Sequence, residues 1–172
     1  MRQPPIDYIE RTREQYAGLG YPPYQWVKNE RSPSLVFPKK PMREWRVGLV
    51  ASGGIYVAGQ VAFHFHDDIS YREIDFETPT DQIRTTHFAY DLTDSRKDPN
   101  VVFPIDTLRG LVRDGIVAEL PHHAYTFMGG IYSARKVRDV LAPALVTRLL
   151  QDEVDVASVS YTHLTLPTIY SV

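Results

Sequence analysis

The chain has 172 residues, 43% hydrophobic and 12% aromatic, and a formal net charge of −2. This balance suits one soluble globular domain with a sizeable core. No apolar run approaches the roughly 18 residues of a membrane span, no secretory h-region opens the chain, and a cytoplasmic protein is expected. With no cysteine, disulfides and thiolate metal sites are excluded from this segment.

Residues 1–46 carry nine Lys/Arg against five Asp/Glu. The basic residues are interspersed with Glu and Pro rather than clustered, so nucleic-acid binding is not expected. Seven of the thirteen prolines fall before Trp45, which argues against ordinary core in residues 1–45. Ile6 to Ala17 has the spacing of a short helix, stopped by Gly18, Gly20 and Pro22-Pro23. Tyr21, Tyr24 and Trp26 follow on extended backbone, and Pro33, Pro38 and Pro41 keep the next stretch extended. The reading is an arm whose aromatic rings are buried by the body or by a second subunit.

The pattern changes at Arg46. Arg-Val-Gly-Leu-Val-Ala reads as a buried strand ending in the turn Ser52-Gly53-Gly54. Residues 100–115 read as a helix, with Pro104 at its start, Ile105, Leu108, Leu111 and Val112 on one face, and Gly115 at its end. His122 to Met128 is expected to be a second strand. Residues 133–151 are helical again, with Pro143 kinking the helix or starting another. Val154 to Ala157 begins a third buried strand. This alternation predicts an α/β fold: a mostly parallel sheet with helices on both faces, three-layered and Rossmann-like, over residues 46–158.

Several residues are candidates for chemistry. Ser52, Gly53 and Gly54 follow the first strand, at the carboxyl edge where open α/β sheets bind ligands; a plain turn is the alternative. Phe127, Met128, Gly129 and Gly130 end the second strand in the same way, before a helix N-terminus. His87 is a possible general acid/base, with Tyr90 and Asp91 as orienting partners, or else a hydrogen-bonded histidine at a strand end. These three groups are expected to converge on one pocket. On a strand, His64 and His66 would share one side with Asp68 close behind, a weak metal-like spacing with no third ligand fixed. His122 and His123 are weaker still, because adjacent strand residues point to opposite faces. No Ser-His-Asp set, Walker loop or flavin motif stands out.

The tail is a separate matter. Residues 159–172 contain no Asp, Glu, Lys or Arg. Val-Ser-Tyr-Thr-His-Leu-Thr-Leu-Pro-Thr can be written GTC TCT TAT ACA CAT CTG ACG CTG CCG ACG, which matches a transposon-end sequencing adapter. The expectation is a non-native tail over residues 159–172, native sequence ending near Ser158, and a fragment that lacks what followed Ala157. The competing reading is a last strand, since the stretch is β-branched and partly alternating.

Asp7-Tyr-Ile-Glu-Arg-Thr-Arg, Leu19-Gly-Tyr-Pro-Pro-Tyr, Ser52-Gly-Gly-Ile-Tyr, Asp68-Ile-Ser-Tyr-Arg-Glu-Ile, Phe103-Pro-Ile-Asp-Thr-Leu-Arg, Asp114-Gly-Ile-Val and Thr126-Phe-Met-Gly stand in this order along the chain. Together they resemble the selenoprotein B family of glycine, sarcosine, betaine and D-proline reductases. The resemblance implies a strand like Glu153-Val-Asp-Val-Ala running into a loop with selenocysteine or cysteine. That nucleophile would displace the activated amine of an amino-acid-like substrate. It also implies partner subunits, one bearing a pyruvoyl group, or a homo-oligomer. Here Ser158-Val159-Ser160 stands where the loop is expected, so the fragment is expected to be inactive. The alternatives are a non-enzymatic or degenerate subunit that binds a small anion or a partner, and a metal-dependent hydrolase centred on His64, His66 and Asp68.

Overall fold

A computed structural model describes residues 8–20, 22, 27, 30, 32, 36–87, 90 and 92–161. Tyr21, Tyr24, Trp26, Pro33 and Asp91 lie outside them, as does the tail beyond Tyr161. Two compact units are present, Met1–Arg31 and Ser32–Val172. In the first, helix α1 spans Tyr8–Gly18, and Gly20, at φ 73°, donates its N–H to the Ala17 carbonyl at 3.0 Å to close the end.

In the second unit, strand β1 spans Val47–Ala51 and is buried along its whole length. A strand covered on both faces needs an apolar run of this kind. It is flanked by two parallel neighbours, β5 at His123–Phe127 and β6 at Val156–Ser160. Strand β3, Tyr71–Asp75, adds antiparallel to β5, giving the order β3-β5-β1-β6. A separate antiparallel pair is formed by β2, Ile55–Val57, and β4, Ile83–Thr85.

Side chains alternate across the main sheet with the two-residue strand period. Val47, Leu49 and Ala51 of β1, Ala124 of β5 and Ile74 of β3 share one core with Ile55, Ile83, Phe103, Ile105 and Leu108. Val50, Tyr125 and Phe127 share the other with Val137, Leu141, Leu145 and Leu149. A short helix, α2, spans Thr93–Lys97; helix α3, Ile105–Arg113, covers the first face, and the helical segment Ala134–Gln151 covers the second. The architecture is therefore α/β and three-layered, with one antiparallel edge strand on an otherwise parallel sheet.

Local chemistry sets the helix ends. Pro104 sits at the N-cap of α3, and a short 3-10 turn at Pro99–Val101, capped by the Asp98 carboxylate on Asn100 N–H, precedes it. The expected single helix over 100–115 is thus broken where Phe103 turns fully into the core. Gly115, at φ 69°, closes α3 by donating to the Val112 carbonyl at 3.0 Å. The later helix begins as α4, Ala134–Lys136, passes through a π segment at Val137–Leu141, and continues as α5, Ala142–Gln151, with a proline in its first turn. Pro143 has no N–H to donate, and the wider turn ahead of it absorbs that loss without ending the helix. Strand β6 starts two residues later than expected and runs on through Val159 and Ser160, which pair with Val50 and Ala51. Among the described residues no helix is long and apolar enough to cross a membrane.

Candidate functional site

The two ends of the main sheet differ in chemistry. At the amino end, Arg46 pairs with Glu119 at 2.9 Å and Lys40 with Asp155 at 2.9 Å. His122 lies 3.5 Å from Asp75 there, and its ring meets that of His123 at 4.3 Å, so both histidines are remote from the carboxyl edge. At the carboxyl end, the chain leaving β1 turns through Ser52, Gly53 and Gly54, all buried. The Ser52 N–H donates to the Ser160 carbonyl at 3.2 Å, and its hydroxyl donates to the Tyr161 carbonyl.

The chain leaving β5 runs alongside as Phe127, Met128, Gly129 and Gly130. Gly129 and Gly130 take φ of 68° and 55°, a left-handed turn that side chains disfavour. Gly54 N–H donates to the Phe127 carbonyl at 3.0 Å, and Thr86 N–H donates to the Gly54 carbonyl at 2.9 Å. Thr126, fully buried, donates its hydroxyl to the Ile55 carbonyl at 2.5 Å.

His87 follows β4 by two residues and is buried, at 7% exposure. Loss of solvent lowers its pKa to about 4, against the opposing effect of a hydrogen bond with the Met128 backbone. The ring is therefore neutral at pH 7. Tyr90 lies against it with centroids 4.8 Å apart and donates its hydroxyl to the Gly53 carbonyl at 2.9 Å. Tyr161 packs on Tyr90 at 4.3 Å and stands 6.4 Å from His87. Burial raises the pKa of both phenols, that of Tyr161 to about 12.

The structure thus brings together Ser52–Gly54, His87 with its expected partner Tyr90, and Phe127–Gly130, and adds Thr126 and Tyr161. The described side chains gathered here carry no charge at neutral pH, so this edge is suited to polar, neutral contacts. Thr86 and Thr126 were not singled out in the sequence, because their roles are made by backbone pairing and burial. Tyr161 was set aside with the tail.

The His64-Phe65-His66 stretch is not a strand, contrary to expectation. The Asp68 carboxylate accepts the N–H groups of His64 and Ser70, each at 2.8 Å, and folds residues 64–70 into a self-capped loop. His64 Nδ1 in turn accepts the His66 N–H at 3.1 Å. Burial pushes the Asp68 pKa up, but the Ser70 hydroxyl, the two N–H groups and the Arg72 charge together lower it. These contacts also turn its carboxylate toward backbone donors. Among the described residues no group of three His, Cys, Asp or Glu is placed to hold a metal. The hydrolase alternative therefore lacks a ligand set.

Comparison with known proteins agrees with the sequence motifs. The glycine/sarcosine/betaine reductase selenoprotein B family matches residues 34–162. The D-proline reductase subunit gamma of Acetoanaerobium sticklandii is 29% identical over 116 residues, covering 67% of this chain and 48% of that protein. The chain thus spans about half the length of this curated relative. No solved structure matches. With most of its length matched, from the approach to β1 to the end of β6, the chain belongs to the glycine/sarcosine/betaine reductase selenoprotein B family.

Proposed function

We propose that the whole protein reductively cleaves a C–N bond in an amino-acid-like substrate, using a cysteine or selenocysteine on the segment that follows β6. Family membership supports the reaction class. The observation that carries the site assignment is the position of the end of β6. Ser160 accepts from Ser52, and Tyr161 stands beside His87 and Tyr90, so a loop leaving β6 would open onto Ser52–Gly54 and Phe127–Gly130.

In the proposed reaction the thiolate or selenolate attacks the carbon bearing the activated amine. The electrons of the C–N bond leave with the amine, which takes up a proton. A second thiol then attacks the sulfur or selenium. The carbon departs with the electron pair and is protonated, while the two chalcogen atoms are oxidised to a disulfide or selenosulfide. His87 is the proposed proton carrier, and buried as it is here it begins as an acceptor. Activation of the amine is assigned to a pyruvoyl-bearing partner subunit. The curated relative is itself named as a subunit, and a partner is part of this reading.

This chain contains no cysteine, so the nucleophile is not among its residues and the polypeptide as given is expected to be inactive. We further propose that residues 159–172 are translated adapter. The family match runs to residue 162 and β6 includes Val159 and Ser160; an apolar, β-branched run suffices for such pairing whatever its origin.

The test is to read the genomic DNA past codon 158, express that frame, map its reactive residue by alkylation at neutral pH and, on unalkylated protein with a dithiol, assay amine release from glycine, sarcosine and betaine and ring opening of D-proline to a linear amino acid. A reactive Cys or Sec shortly after β6, whose replacement by Ser abolishes amine release or ring opening, supports the proposal. A genome that encodes Val-Ser-Tyr-Thr-His-Leu-Thr-Leu-Pro-Thr at this point, with no Cys or Sec after it, overturns it and favours a binding subunit.

A further inference from the structure

We propose that Gly54 is the positioning residue of this site, fixing the His87 ring through backbone contacts alone. The inference rests on the reading of His87 as the proton-carrying group, and deepens it.

Three observations converge on this residue. Its N–H and C=O are both used, one on Phe127 at the end of β5 and the other on Thr86, the residue before His87. Its φ is 68°, and a Cβ placed there would lie 1.7 Å from the Thr86 carbonyl oxygen and 3.2 Å from the Met128 Sδ. The first distance is to backbone, so no rotamer relieves it. The loop carrying His87 and the loop carrying its partner Met128 therefore meet at a point where only hydrogen fits. Next door, the Gly53 carbonyl is held by the hydroxyl of Tyr90, whose ring covers His87. The imidazole is thus confined by Met128 and Tyr90, and both are referenced to the same two-glycine turn.

Gly48 supplies the contrast. A Cβ there would stand 3.0–3.1 Å from side-chain atoms of Val154 and Leu149, within the core opposite the His87 loop. It is a close-packed glycine, milder than Gly54 because its neighbours are side chains, and these contacts lie away from the site. Replacing each by Ala separates a general packing defect from a loss of His87 placement.

The experiment follows the His87 ring by NMR in isotopically labelled protein, with His87→Gln to assign the signal. Among the described residues, Tyr90, Tyr161 and the Met128 backbone face the ring, with Arg96 beyond Tyr90. In Gly54→Ala the His87 signals should shift and the titration midpoint should rise by about one unit or more, toward the ordinary imidazole range. Gly48→Ala should leave both unchanged even if it costs as much stability. Tyr90→Phe, which removes only the hydroxyl, should move His87 in the same direction by less.

A folded Gly54→Ala with His87 unmoved, or a Gly48→Ala that moves it equally, overturns the proposal. If Gly54→Ala does not fold, Tyr90→Phe decides, because it releases the Gly53 carbonyl of the same turn, and an unmoved ring there overturns the proposal. None of these readouts needs activity, so a failure of the reductase reading stays distinguishable from a failure of this one.

Discussion

The imidazole of His87 packs against the phenol of Tyr90, with ring centroids 4.8 Å apart and planes inclined by 42°. A histidine boxed in this way is neutral when folded and protonated when unfolded over a wide pH range. Its folded pKa is lowered to about 4 from an ordinary 6.5. Between those values the unfolded chain binds more protons, so stability rises with pH through the window and is lost as pH falls through it. The linkage is worth about 3–4 kcal/mol when complete, of which roughly 2–3 kcal/mol falls between pH 7 and pH 4.5. Urea unfolding at pH 7 and pH 4.5 should show this loss in the parent chain and a much smaller one in His87→Gln. The carboxylates of Asp68, Asp106 and Asp155, whose pKa values are lowered, lose their contribution mainly below this window. Equal pH dependence in parent and variant would refute the assignment.

Tyr125 is 2% exposed on β5, and its hydroxyl donates to the Asp152 carboxylate just past α5 at 2.5 Å. Burial, then this bond, pushes the phenol pKa upward, so it stays a donor throughout the working range. Tyr125→Phe should lower stability by about 1–2 kcal/mol, the scale for a hydrogen bond to a charged acceptor that can partly rehydrate. Asp152→Asn should lower it by less, because an amide oxygen still accepts. Urea midpoints of the two variants at pH 7 measure the difference.

Gly48 lets Leu149 of α5 and Val154, three residues past its end, approach β1 closely. Gly48→Ala should cost about 1–3 kcal/mol by overpacking Leu149 and Val154. Val154→Ala alone also destabilises. The double variant should be more stable than the sum of the two losses implies, a coupling read from a double-mutant cycle. Strict additivity would mean that the contact relaxes without cost.

The end of β6 offers a length test. Val159 and Ser160 pair with Val50 and Ala51, and Ser160 accepts from Ser52. A chain ending at Tyr161 should unfold at the same urea concentration as the 172-residue chain. One ending at Ser158 should be less stable by about 1–2 kcal/mol, since two backbone bonds are lost at a sheet edge. Val159 is 49% exposed on that edge, so the shorter chain should also aggregate less. A stability loss on truncation to Tyr161 would show that residues 162–172 take part in the fold.

The sequence by itself determined the elements whose signals are local. The buried run of β1, the Pro104-to-Gly115 helix and the apolar face of residues 137–149 are periodic or capped within their own span, and they predict the layered α/β fold directly. So does the succession of motifs that marks the family. Strands β2, β3 and β4 carry no such signal. Three to five residues long, and with Arg72, Glu73 and Asp75 leaving Ile74 as the one aliphatic side chain of β3, they exist because β5 or one another supplies their hydrogen bonds. The apparent strand at His64–His66 failed for the converse reason, as Asp68 offered the backbone a nearer partner. The glycine turns, His87 and their convergence at the carboxyl edge were legible from their places at strand ends, but not the contact that joins them. That was decided by parallel pairing, which puts the carboxyl ends of β1, β5 and β6 side by side, and by Gly54, where the loops after β4 and β5 meet across a space that no side chain can enter.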